Sequence, residues 1–98
     1  MLFTKVDFKL STPMSLAEAT EVFESTAPKY KGHPGLLLKH YFRSEDGLTV
    51  GGIYFWENRA AAEATYSGPW RALVQEKYGV APKIEYYDSP VHVDNRHA

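Results

Sequence analysis

Gly51-Gly52-Ile53-Tyr54-Phe55-Trp56-Glu57-Asn58 reads as a strand that runs directly into a helix. Ile53, Tyr54, Phe55 and Trp56 are β-branched or aromatic, the side chains that fit a pleated, half-buried surface. Alternation along a strand puts Tyr54 and Trp56 on one face and Ile53 and Phe55 on the other. Both faces carry large apolar groups, so both need cover: helices on one, a second layer, most simply another copy of the chain, on the other. Gly51-Gly52 leaves side chains out of the middle of the strand. That weakens it and marks a bulge or a place where something comes close.

The strand before it is Leu36 to Arg43, with Ser44-Glu45-Asp46-Gly47 as the hairpin loop. That loop sets Lys39 opposite Gly52 and Leu37 opposite Tyr54. One face then holds Leu37, Lys39, Tyr41, Val50, Gly52, Tyr54 and Trp56. The other holds Leu36, Leu38, His40, Phe42, Ile53 and Phe55, and a one-residue slip would exchange them.

Outward from this hairpin the remaining elements follow. Residues 2–10 alternate, with Val6, Phe8 and Leu10 on one side and Lys5, Asp7 and Lys9 on the other, as a first strand does. Ser15-Leu16-Ala17-Glu18 has capping-box spacing, and Leu16, Ala19, Phe23, Ala27 and Tyr30 form one helical stripe that Pro28 ends or kinks. Gly32-His33-Pro34-Gly35 is a turn. Asn58 caps an alanine-rich helix over about residues 59–66. Pro69 opens another, with Trp70, Leu73, Val74 and Tyr78 on its apolar stripe and Gly79 at its C-terminal cap. Residues 81–88 make a last strand, and the polar tail 89–98 is left to wander or to dock on a partner.

The order strand, helix, strand, strand, helices, strand is the α+β ferredoxin-like βαββαβ pattern: one domain over residues 1–98, a four-stranded antiparallel sheet and helices on one face. The uncovered face, with Leu36, Leu38, Phe42, Ile53 and Phe55, carries too much apolar surface for a monomer. A homodimer joined sheet to sheet is therefore expected.

Composition narrows the function classes. The 98 residues have a net charge of −1 and no basic run, which argues against nucleic acid as a partner. No apolar run reaches membrane-spanning length and the N-terminus lacks a signal pattern, so a cytoplasmic protein is expected. Without cysteine there is no disulfide and no thiolate metal site. His33, His40, His92 and His97 lack metal-ligand spacing, and no metal is expected. Dinucleotide, phosphate-loop and nucleophile-elbow motifs are absent, so no cofactor is expected either. Two Trp, seven Tyr and five Phe are many for this length, and interfaces and ligand pockets favour such residues.

Pro34-Gly35-Leu36-Leu37-Leu38-Lys39, the spacing to Gly51-Gly52-Ile53-Tyr54-Phe55 and the acidic, alanine-containing helix that follows resemble the YdhR-like monooxygenases. These belong to the wider superfamily of dimeric α/β barrels that includes the antibiotic-biosynthesis monooxygenases. The resemblance spans nearly the whole chain and is best from Pro34 to Gly79. It implies a pocket between sheet and helices, with Trp56-Glu57-Asn58-Arg59-Ala60-Ala61 placed along it. It also implies a cofactor-independent oxidation of a small aromatic or polyketide-like substrate.

Within that frame Lys39, Tyr41, Tyr54, Trp56 and Trp70 are the pocket candidates, with Tyr54 and Lys39 the candidates for chemistry. Tyr54, Trp56 and Trp70 beside a bare Gly52 could wall an apolar cavity, or could simply be core. A Lys39 ammonium could stabilise an enolate, or its stem could lie on apolar surface with the charge in water. His40 faces the expected dimer contact, and Asp7, between Lys5 and Lys9, suits charge pairing across the sheet. Arg71 could reach a ligand's acid group or stand in solvent. A ligand-binding or stress-response module without turnover, and a purely structural dimerisation domain with a filled core, are the other readings.

Overall fold

The computed structural model describes residues 1–96; His97 and Ala98, the end of the expected tail, lie outside the described residues. In chain order the elements are β1 (Leu2–Lys9), α1 (Leu16–Thr26), a 3₁₀ turn (Ala27–Tyr30), β2 (Leu36–Arg43), β3 (Thr49–Trp56), α2 (Arg59–Thr65), α3 (Gly68–Tyr78) and β4 (Lys83–Asp88). The strands form one antiparallel sheet in the order β2-β3-β1-β4, the ferredoxin-like arrangement. β2 is an edge strand, and the glycine-containing β3 lies between it and β1.

The helix ends follow their local chemistry. The Ser15 side chain accepts from the Glu18 amide, and Glu18 accepts from the Ser15 amide. Asn58 caps α2 through the Ala61 amide, and Gly79 ends α3 in the left-handed region with φ 75°. Pro28 turns the end of α1 into 3₁₀ geometry and so delivers Tyr30 to the sheet. The inner face packs Val6, Phe8, Val50, Tyr54 and Trp56 against Ala62, Tyr66, Trp70 and Val74.

Four expectations change. The β2–β3 register pairs Lys39 with Tyr54 and Tyr41 with Gly52, two residues from the expected pairing. The loop is Glu45 to Leu48, because Ser44 still pairs: its amide donates to the Thr49 carbonyl, and the Asp46 carboxylate accepts from the Ser44 hydroxyl and the Leu48 amide. A shift of two preserves face membership, so the faces survive. The exception comes from a bulge between Leu36 and Leu38, which turns Leu36 into the core and leaves Leu37 51% exposed, the reverse of the expectation. Leu16, the first residue of α1, is exposed, and Thr26 takes the place on the buried stripe.

The outer face carries Phe3, Leu38, His40, Phe42, Ile53, Phe55 and Tyr87. Phe3 packs on Phe55 and on Tyr87, with centroids 5.5 and 5.1 Å apart. At the end of β4, Ser89 and Met1 exchange backbone hydrogen bonds. The tail beyond bounds an open cleft of about 560 Å³ over Leu37, Leu38, His40 and Phe55.

Candidate functional site

Lys39 stands in the middle of the edge strand β2, with its side chain on the helix side. The strand period places Tyr41 on the same face, register brings Tyr54 across from β3, and the 3₁₀ turn adds Tyr30. The Lys39 Nζ lies 3.5 Å from the ring centroid of Tyr30, 3.9 Å from that of Tyr41 and 4.4 Å from that of Tyr54. Among the described residues no carboxylate pairs with it.

Gly52 makes this possible. A Cβ there would lie 3.0 Å from Lys39 Cε and 3.1 Å from Tyr54 Cε1, so the side-chain-free position is room for the lysine stem and the phenol. Gly51 answers a different demand, since a Cβ on it would strike the Val6 carbonyl of β1.

Electrostatics follow from the packing. Burial pushes the Lys39 amine down to about 6. The ring faces favour the ammonium and oppose this, but they offer no full negative charge. Burial moves the phenols the other way: Tyr54 well above its ordinary value, Tyr41 upward as well. At neutral pH the cluster thus holds a largely unprotonated amine beside the protonated phenols of Tyr41 and Tyr54. Thr26 donates to the Phe23 carbonyl, which leaves its oxygen to accept from the Tyr41 hydroxyl at 2.8 Å.

Of the five residues singled out in the sequence, Lys39, Tyr41 and Tyr54 converge, and the two indoles stand behind them. Trp56 is 1% exposed, stacks parallel on Tyr54 with centroids 5.8 Å apart, and donates to Thr4 Oγ1 at 2.9 Å. Thr4 in turn meets the Tyr66 hydroxyl at 2.5 Å. Trp70 donates to the Tyr30 hydroxyl at 3.0 Å. The tryptophans therefore orient the tyrosines around Lys39. Tyr30, Thr26, Thr4 and Tyr66 were not singled out in the sequence as site residues. Only the apolar spacing that put Tyr30 on the stripe of α1 hinted at any of them.

The space at the site is divided. Inside, beneath Gly52, about 20 Å³ is open to the centre of a water-sized sphere, room for a single water. Outside, at the β2 edge, a cleft of about 370 Å³ reaches Lys39 between Ala27, Tyr30, Leu36, Leu37 and Tyr41. Lys39, Tyr30 and Tyr41 line both.

The other candidates lie apart. His40 is exposed on the outer face. His33 meets Thr65 Oγ1 at 2.6 Å, and Arg71 donates to the Tyr66 carbonyl. Among the described residues Asp7 does not make the charge pair expected of it: it is 4% exposed, its Oδ1 has no hydrogen-bond partner there, and Lys83 opposite leans to Glu85 at 4.0 Å. Among the described residues no group of three or more His, Asp or Glu could hold a metal ion, and no helix is long and apolar enough to cross a membrane.

The family model described as "Putative mono-oxygenase ydhR" matches residues 3–84. Among proteins with curated descriptions none matches in sequence. Solved structures share the fold. A monooxygenase from the ActVA-Orf6 gene of Streptomyces coelicolor, in complex with nanaomycin D, superposes with a TM-score of 0.71 at 20% identity, covering 94% of this chain and 89% of that one. SnoaB, a cofactor-independent oxygenase from Streptomyces nogalater, gives 0.67 at 16% identity over 94% and 95%. A protein of unknown function from Nitrosomonas europaea gives 0.72 at 17% identity over 94% and 91%.

Proposed function

The chain belongs to the YdhR mono-oxygenase family, and on that premise we propose that it oxidises a small aromatic or polyketide-like substrate with dioxygen and without a cofactor. The observation that carries this reading is the Lys39 amine, held among three tyrosine rings, on a residue that lines a surface cleft. A substrate such as an anthrone has an acidic C–H or O–H that a neutral amine can take. The resulting carbanion is electron-rich enough to reduce dioxygen itself. One oxygen atom enters the substrate as a carbonyl and the other leaves as water. The ammonium formed on Lys39 then stands beside the anion it created, and Tyr54 is a protonated donor for the developing oxyanion. The cofactor-independent oxygenase SnoaB shares the fold and lends support.

Trp56 and Trp70 serve here as braces for Tyr54 and Tyr30, and substrate packs instead on Tyr41, Tyr30 and the leucines of β2. Oxygen uptake with a panel of anthrones and hydroquinones tests the reading. Turnover should fall about 100-fold or more in Lys39→Met. A panel that binds yet consumes no oxygen above background would favour the second reading, a ligand-binding or stress-response module. The single-water volume of the inner hollow is instead the observation on the side of the third reading, a structural dimerisation domain with a filled core.

We infer also that two copies join through the outer sheet face. The support is its apolar content, with Leu38 49% and Tyr87 40% exposed beside the Phe3–Phe55 contact.

A further inference from the structure

We propose that Lys39 is a covalent capture site for small carbonyl compounds, an amine that condenses with an aldehyde or ketone arriving through the β2-edge cleft. Three features of the geometry carry this. First, among the described residues the amine has no acidic partner, and it lies against three rings in a largely desolvated setting, where burial works against a charge. Second, Lys39 lines a cleft of about 370 Å³ at the β2 edge, together with Tyr30, Lys31, Leu37 and Tyr41, and most of its walls suit an apolar carbonyl compound. Third, the bare Gly52 leaves room for this side chain, since a Cβ there would crowd both the lysine Cε and the Tyr54 ring. A lysine desolvated in an apolar pocket is the usual form of an imine-forming residue. Burial also lowers its proton affinity, which leaves a free lone pair at neutral pH.

The step balances without an added oxidant or reductant. The lone pair of Nζ attacks the carbonyl carbon to give a carbinolamine, in which C–N has formed and the carbonyl π bond has become C–OH. Loss of that hydroxyl with a proton releases one water and leaves C=N. Tyr41, kept protonated by burial and lining the same cleft, supplies a hydroxyl donor for the departing oxygen. This inference does not rest on the oxygenase reading, because imine formation consumes no dioxygen.

The test is a competition within one protein. The full chain is incubated at pH 6.5 with propanal, and separately with benzaldehyde, in the presence of cyanoborohydride, which reduces the imine to a stable secondary amine. Peptide mapping then ranks Lys39 against Lys5, Lys9, Lys29, Lys31, Lys77 and Lys83. Lys39 should be labelled at least tenfold faster than any of the six with one or both aldehydes. Denaturing the protein before labelling should abolish the preference. Labelling of Lys39 no faster than the surface lysines, with both aldehydes, overturns the proposal. Oxygen uptake recorded on the same samples keeps this outcome separate from success or failure as an oxygenase.

Discussion

At Lys39 three tyrosine faces stand where a buried ammonium would ordinarily have a carboxylate. The arrangement has a thermodynamic consequence. The amine is lowered to about 6 in the folded chain, against about 10.4 for an unfolded lysine. Between those values the unfolded chain binds a proton that the folded one does not, so stability rises with pH across that window. Lys39→Met removes the proton and keeps most of the volume. It should stabilise the protein at pH 7 by about 1–3 kcal/mol. The advantage should shrink as pH rises toward 10, which denaturant unfolding at both pH values measures. The sequence displayed Lys39 on the correct face but not its neutral state, because the residue that caps its cage, Tyr30, comes from a 3₁₀ turn 9 positions upstream. Likewise Gly52 was legible as a vacancy, and what fills it was not. The occupants are the lysine stem and the Tyr54 ring, whose reach along the sheet no alternation pattern encodes.

Elements were more legible than contacts. The capping box at Ser15, the Asn58 cap and the Gly79 terminus each depend on a few adjacent residues, and all three stand as read. Register and bulge depend on neighbours across the sheet. Leu36, Leu37 and Leu38 are chemically identical, so nothing local decides which points inward; the bulge does. The hairpin loop was displaced because the Asp46 carboxylate organises its backbone while Ser44 remains in the ladder. The paired glycines of β3 give a prediction at this scale. Gly52→Ala meets a flexible lysine end and a ring, and should cost about 1–2 kcal/mol. Gly51→Ala meets the β1 backbone itself, which cannot give way without parting β1 from β3. It should cost about 3 kcal/mol or more, and Tm values for the two variants would rank them.

For the whole molecule, the same sheet divides the work: the inner face buries the core and the Lys39 cluster, and the outer face remains apolar. Phe3, Phe55, Tyr87 and Leu38 lie there, and farther along β1 on the same face is Asp7, whose Oδ1 has no partner among the described residues of one copy. A second copy on this face would remove the apolar surface from water and bring donors toward that carboxylate. Light scattering at micromolar concentration should give twice the 11.1 kDa chain mass, and Phe55→Lys should halve it. A wild-type monomer under those conditions would remove the dimer from the account. The inner site, however, is where chemistry is assigned, and it depends on an amine that is free at neutral pH. The Lys39 ¹³Cε shift followed by NMR from pH 4 to 11 measures this without any substrate. A midpoint near 6 is the expected result. A midpoint near 10, the ordinary value of a lysine in water, would contradict the account.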